Sequence, residues 1–185
     1  LGLPPVLFPM HVVLLELVVD PVCSLVFESE PAENSSMRRA PRDPGESLFG
    51  RRQLLIALFQ GAVLMLAIVG LYALALHAGR GVDESRALAF TALIAGALIL
   101  ALANAADPDS QLLSRSRGAF WIIGGIATLV LALVLYVPAM ARLFKLAAPS
   151  GWDLAATLLL MLLAAGWSRL ARRRASPAAP ASPTR

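Results

Sequence analysis

Polar residues are scarce along most of this chain and gather between long apolar runs. Five such runs stand out, at about residues 6–27, 54–76, 87–106, 120–140 and 152–170. Each is near the length of about 20 residues that an α-helix needs to cross the hydrocarbon core of a bilayer. The second run carries no charge at all. The pattern predicts an all-α membrane protein, a bundle of five transmembrane helices. The tail at 175–185, ASPAAPASPTR, is low in complexity and expected to be disordered.

One run departs from this pattern. Of the twelve acidic residues in the chain, only Glu16 and Asp20 lie well inside an apolar segment. A carboxylate at bilayer depth costs roughly 2.5–3.5 kcal/mol on insertion scales, so such residues are rare and tend to be functional. Their i, i+4 spacing sets both on one helical face, a turn apart. Held that close they repel, unless a cation or a proton sits between them. Pro21 follows directly. It has no N–H for the Leu17 carbonyl, and its ring is expected to push that turn open. Two carboxylates beside a freed carbonyl form an oxygen cluster suited to a hard cation or a proton.

Composition agrees with the membrane class: 58% of the 185 residues are hydrophobic and 15% charged. The net charge of +4 does not point to nucleic acid, because the basic residues sit in the connections and the tail. The stretch 29–53 holds five of them (Arg38, Arg39, Arg42, Arg51, Arg52), and the last helix end and tail another five. Placing the N-terminus outside puts twelve Lys and Arg inside and four outside, so loop 29–53 and the C-terminus are expected to be cytoplasmic. The chain opens on Leu1, with no charged region or cleavage site ahead of its first apolar run. A signal peptide is therefore not expected, and the opening reads as the middle of a gene.

Other residues carry less. Cys23 is the single cysteine, which excludes an internal disulfide and a cysteine-based metal site. His11 lies about 140° round the helix from Glu16, which favours a packing histidine over a proton relay. His77 sits at a helix end. Asp153 stands at a helix start, where it complements the dipole. Trp121, Trp152 and Trp167 fall near segment ends, as an interfacial belt requires. Ala92 and Gly96, and the pair Gly124–Gly125, offer small surfaces for helix approach, although membrane helices are rich in such residues generally. Pro138 is expected to end or kink the fourth helix. No Ser-His-Asp, zinc or Gly-rich phosphate motif is present, so nothing argues for a soluble hydrolytic site.

Taken together, LPPVLFPMHVVLLELVVDP, MRRAPR and ESLFGR resemble the sixth membrane helix and following cytoplasmic loop of P-type cation-transporting ATPases, in the ten-helix branch of the calcium and sodium pumps. RALAFTALIAGALILALAN resembles the eighth helix of bacterial members. FWIIGGIATLVLALVLYVPAMARLF, with the Trp152–Asp153 helix start, resembles the ninth and tenth. The resemblance runs to about Arg174. It implies that Glu16 and Asp20 occupy positions at which the family's sixth helix, unwound near its middle, supplies acid or amide ligands to the transported cation. Calcium pumps typically carry Asn where Glu16 stands. The position matching a glutamate on the eighth helix of animal pumps is about Ala97, so one calcium-type site is expected to be missing or altered. Asn104, further on, reads as a polar helix end, and Ala40 replaces a proline.

The resemblance also implies what must come from elsewhere. The family's phosphorylated Asp in DKTG, its nucleotide-binding domain, its TGE-bearing actuator and its fourth and fifth helices have no counterpart in this sequence. No cofactor is expected in this chain. ATP and Mg2+ would act only in the intact pump, and the transported ion (Ca2+, Na+, H+ or another) is left open. The expected partners are the bilayer, that cation and the N-terminal remainder of a pump, in a multi-pass protein of the bacterial inner membrane. The chain is then a fragment or truncated product, without ATPase activity alone. The alternatives are a stand-alone small membrane protein that binds a cation or a partner subunit, or a non-functional remnant.

Overall fold

The computed structural model describes residues 4–28, 51–105 and 118–175. Among them every regular element is an α-helix, six in all: α1 (Pro9–Glu28), α2 (Arg51–His77), α3 (Val82–Ala105), α4 (Gly118–Tyr136), α5 (Pro138–Leu143) and α6 (Gly151–Ala175). Most of loop 29–53, with its MRRAPR and ESLFG sequences, lies outside the described residues, as does the tail from 176. Two helical stretches, Leu54–His77 and Val82–Asn104, are long and apolar enough to cross a membrane, while those at Phe120–Tyr136 and Gly151–Trp167 are apolar but shorter.

Local chemistry explains the boundaries. α3 begins five residues ahead of the apolar run, because Asp83 and Glu84 in its first turn complement the helix dipole. α4 stops at Tyr136, and Pro138 opens the six-residue α5 from its first turn, where a missing N–H costs nothing. The expected fourth segment is thus two helices, divided where the proline was expected to act. α2 ends with Gly79 at φ 79°, a left-handed residue whose N–H reaches the Leu76 carbonyl, while the Arg80 N–H reaches that of Ala75. α5 ends the same way on Lys145, at φ 49°, with Leu146 N–H on the Ala141 carbonyl. Ser150 caps α6: its Oγ accepts the Asp153 N–H, and its hydroxyl donates to the Asp153 carboxylate at 2.6 Å.

α3 is the central element, packed against α1, α2, α4 and α6. On one side Phe90 and Ile94 meet Leu14 and Val18 of α1 and Ala127, Val134 and Leu135 of α4. On the other, Ala89 and Ala92 meet Leu64, Ile68 and Tyr72 of α2 and Met161 of α6. Of the small residues, Gly96 is in close contact and Gly124 and Gly125 are not: a Cβ on either of that pair would meet nothing within 4 Å. Residues 4–8, the α2–α3 turn and the α5–α6 connection meet at one end. There the Tyr72 hydroxyl donates to the Pro4 carbonyl, Ala147 N–H to that of Asp83, and Arg80 to Asp153 at 2.6 Å. The long helices therefore run up and down, in alternation.

Candidate functional site

α1 has two unlike faces. His11, Leu14 and Val18, at i, i+3 and i+7, are buried against α3 and α4. The opposite stripe carries Val13, Glu16, Leu17, Asp20 and Ser24, all exposed, with Leu17 at 70%. The helical period of 3.6 residues produces this division directly, since Glu16 and Asp20 are about 40° apart around the axis and one turn apart along it. The chain brings the two acids onto one face and sets no helix of its own, among the described residues, over that face.

The turn at Pro21 departs from expectation. α1 is helical without interruption from Pro9 to Glu28, so the proline is accommodated inside the helix instead of unwinding it. Pro21 still gives the Leu17 carbonyl no N–H. The usual i+4 donor to that oxygen, on the stripe that carries the acids, is thus missing. Two carboxylates and one carbonyl fall short of the about 6–8 oxygens a Ca2+ ion takes. No group of three or more His, Cys, Asp or Glu side chains converges among the described residues. By composition the cluster alone is too small for such an ion.

His11 has a separate role. It is fully buried, its Nδ1 accepts the Phe8 N–H at 2.9 Å, and its Nε2 lies 2.7 Å from the Phe144 carbonyl. An Nδ1 that accepts leaves the proton on Nε2, which donates to that carbonyl. The ring packs beside Phe8, Phe90 and Phe144. It is a packing histidine on the face away from the acids. Ala97 lies half-buried on α3, and Asn104 is the penultimate residue of that helix. The Cys23 side chain is outside the described residues.

Arg86 stands at the polar edge of an apolar run, where a cation would be expected to face water, yet it is only 3% exposed. Its Nη1 donates to Asp83 Oδ1 at 2.7 Å and to the Lys145 carbonyl at 2.8 Å, and its Nε to the Pro5 carbonyl at 3.3 Å. The Phe8 ring lies 4.7 Å from its guanidinium carbon. A buried guanidinium is tolerable when its charge and donors are matched in this way. The signal in the sequence was faint: an Asp three residues before an Arg, at the edge of an apolar run.

Comparison with known proteins matches residues 4–174 to the family described as "Cation transporting ATPase, C-terminus". The calcium-transporting ATPase of Bacillus subtilis (strain 168) is 26% identical over 161 residues, which cover 83% of this chain. The chain spans only 18% of the length of that relative. With the family matched over nearly its whole length, this chain belongs to the C-terminal region of the cation-transporting P-type ATPases.

Proposed function

We propose that residues 1–174 are the C-terminal part of the transport domain of a cation pump, with Glu16 and Asp20 as ligands of the transported ion. The observation that carries this is the exposed stripe of α1, where two carboxylates stand one turn from a proline, on a face that no other described helix covers. In water an exposed acid needs no explanation. On a helix flanked by exposed Val13 and Leu17 it calls for a cation and for further helices. The fourth and fifth membrane helices of the pump would supply both the cover and the remaining oxygens.

Membrane embedding of α1, α2, α3, α4 and α6 follows from the same reasoning. Leu55, Leu58, Phe59, Met65, Leu66 and Leu74 of α2, and Leu159, Leu162 and Leu163 of α6, are exposed well beyond what a soluble surface tolerates in one patch. Lipid is their natural cover. Loop 29–53 and the C-terminus then face the cytoplasm of a bacterial inner membrane. Phosphorylation elsewhere in the pump would switch the exposure of the acids from one side to the other, with loop 29–53 as the coupling element. The name of the Bacillus relative favours Ca2+, and Na+ or H+ fits the same donor set.

Transport by the full-length pump that carries this segment tests the proposal. Asp20→Asn keeps the shape and removes a charge, and transport of Ca2+ into sealed vesicles should fall at least about tenfold. Wild-type rate and affinity in that variant would show the site to be elsewhere. Purified alone, the chain should take up no acid-stable phosphate from ATP, since it carries no DKTG acceptor.

A further inference from the structure

Glu16 and Asp20 hold their place only if α1 is held, and its beginning is held by an unusual device. Arg86 is buried near the start of α3 and gathers two backbone carbonyls from distant parts of the chain, Pro5 ahead of α1 and Lys145 after α5. Lys145 offers its carbonyl from a left-handed conformation, φ 49°, that a residue with a Cβ rarely adopts. From Pro5 the chain runs three residues to Phe8, whose ring lies over the guanidinium and whose N–H is held by His11. His11 in turn is bonded to the Phe144 carbonyl beside Lys145. The loop of contacts closes on itself.

We propose that Arg86 is a positioning residue for the cation site: by tying Pro5 to Lys145 it fixes the height of α1, and with it the depth of Glu16 and Asp20. This rests on the reading of those acids as cation ligands. Glu16 is five residues past His11, about 7.5 Å along a stiff helix, so a slip at the tie arrives at the acids undiminished. A hard cation is sensitive to ligand placement, because its oxygens must converge at about 2.3–2.6 Å. The guanidinium is suited to this work in a way that an ammonium is not. Its fixed fork of donors holds two carbonyls and Asp83 at set angles, whereas a lysine is a point charge on a flexible stem.

The full-length pump in proteoliposomes, with Ca2+ as the probe, gives the test. Arg86→Lys keeps the charge and most of the packing and loses the fork. The half-saturating Ca2+ concentration for transport should rise about fivefold or more, while maximal turnover per folded pump changes by less than about twofold. A merely structural role would lower the amount of folded pump and leave its Ca2+ dependence alone, and that result overturns the inference. If Arg86→Lys does not accumulate, Asp83→Ala decides: its side chain is 58% exposed, and its loss removes the carboxylate that orients Nη1, the same nitrogen that holds the Lys145 carbonyl. It should shift half-saturation by about twofold or more in the same direction, and an unmoved value likewise overturns the inference. Asp20→Asn is measured beside them. If it weakens transport and the anchor variants leave Ca2+ dependence alone, only the anchor falls; if Asp20→Asn has no effect, the reading of the site falls, and the anchor with it.

Discussion

Leu64 fills the space that a side chain at Gly96 would need: a Cβ there would stand 2.6 Å from Leu64 Cδ1 and 3.3 Å from Met161 Sδ. This is where α2, α3 and α6 come together. Gly96→Ala should cost little, because Cδ1 is the free end of a rotatable side chain and alanine is a better helix former by about 0.8–1.0 kcal/mol. Gly96→Val adds two methyls that no rotation of Leu64 clears, for a loss of about 1–3 kcal/mol. Leu64→Ala opens that space, so combining it with Gly96→Val should cost less than the two single losses added, by about 1 kcal/mol. Thermal unfolding of the four proteins in detergent measures the cycle. Strictly additive losses would mean that the two residues do not share the space.

This contact shows what the sequence could and could not disclose. The spacing of Ala92 and Gly96 is visible as a small surface, but Gly124–Gly125 reads equally well, and a Cβ on either of that pair would meet nothing within 4 Å. Only the partner distinguishes them, and Leu64 is far along the chain. Helix positions were legible because apolarity persists over whole helices; their ends were not, because helices begin in polar residues. α3 gains its first turn from Asp83 to Arg86, which a hydropathy count assigns to the loop. The shared face of Glu16 and Asp20 follows from the period alone. That this face is exposed does not, since it depends on which helices the chain supplies. Arg86 was hidden for the same reason: its carbonyl partners are 81 and 59 residues away and have no side-chain signature.

The turn between α2 and α3 makes a second case. Gly79 adopts a left-handed φ of 79°, and the next residue, Arg80, bonds Glu84 at 2.9 Å and Asp153 at 2.6 Å. Gly79→Ala should destabilise the bundle by about 1–2 kcal/mol through backbone strain. Asp153→Asn should cost less than about 1 kcal/mol, because Arg80 is a third exposed and water screens the pair. The same unfolding assay ranks them. A larger loss for Asp153→Asn would mean that the ion pair, not the turn, holds α2 to α6.

Topology gives a third. Residues 4–8, Arg80, Arg86, Arg142 and Lys145 share one end of the bundle, and α1 ends and α2 begins at the other. In a Cys23→Ser background, Ser35→Cys should resist an impermeant thiol reagent added to intact cells. Ala148→Cys, exposed at the end where α1 begins, should react readily. The reverse labelling pattern would invert the orientation.

The two acids give the last prediction, which separates a working ion site from a tolerated defect. Each ionised carboxylate costs roughly 2.5–3.5 kcal/mol when its helix is inserted, and an amide costs less. Glu16→Gln and Asp20→Asn should therefore enter the membrane as well as the parent or better, judged by the fraction of chain that resists carbonate extraction. Transport should move the other way, because a hard ion with few protein ligands depends on their charge. The two positions should also differ. Asp20 stands next to Pro21, one turn from the Leu17 carbonyl that the proline deprives of its i+4 N–H, so on the proposed reading its loss removes a charge beside that carbonyl. Glu16 stands a turn away, at the position where calcium pumps of the resembled branch typically carry an amide. Glu16→Gln should therefore shift ion preference, read as the ratio of Ca2+ to Na+ transport in the full-length pump, with a smaller fall in rate than Asp20→Asn. Better insertion with undiminished transport and unchanged preference in both variants would make the carboxylates a tolerated defect.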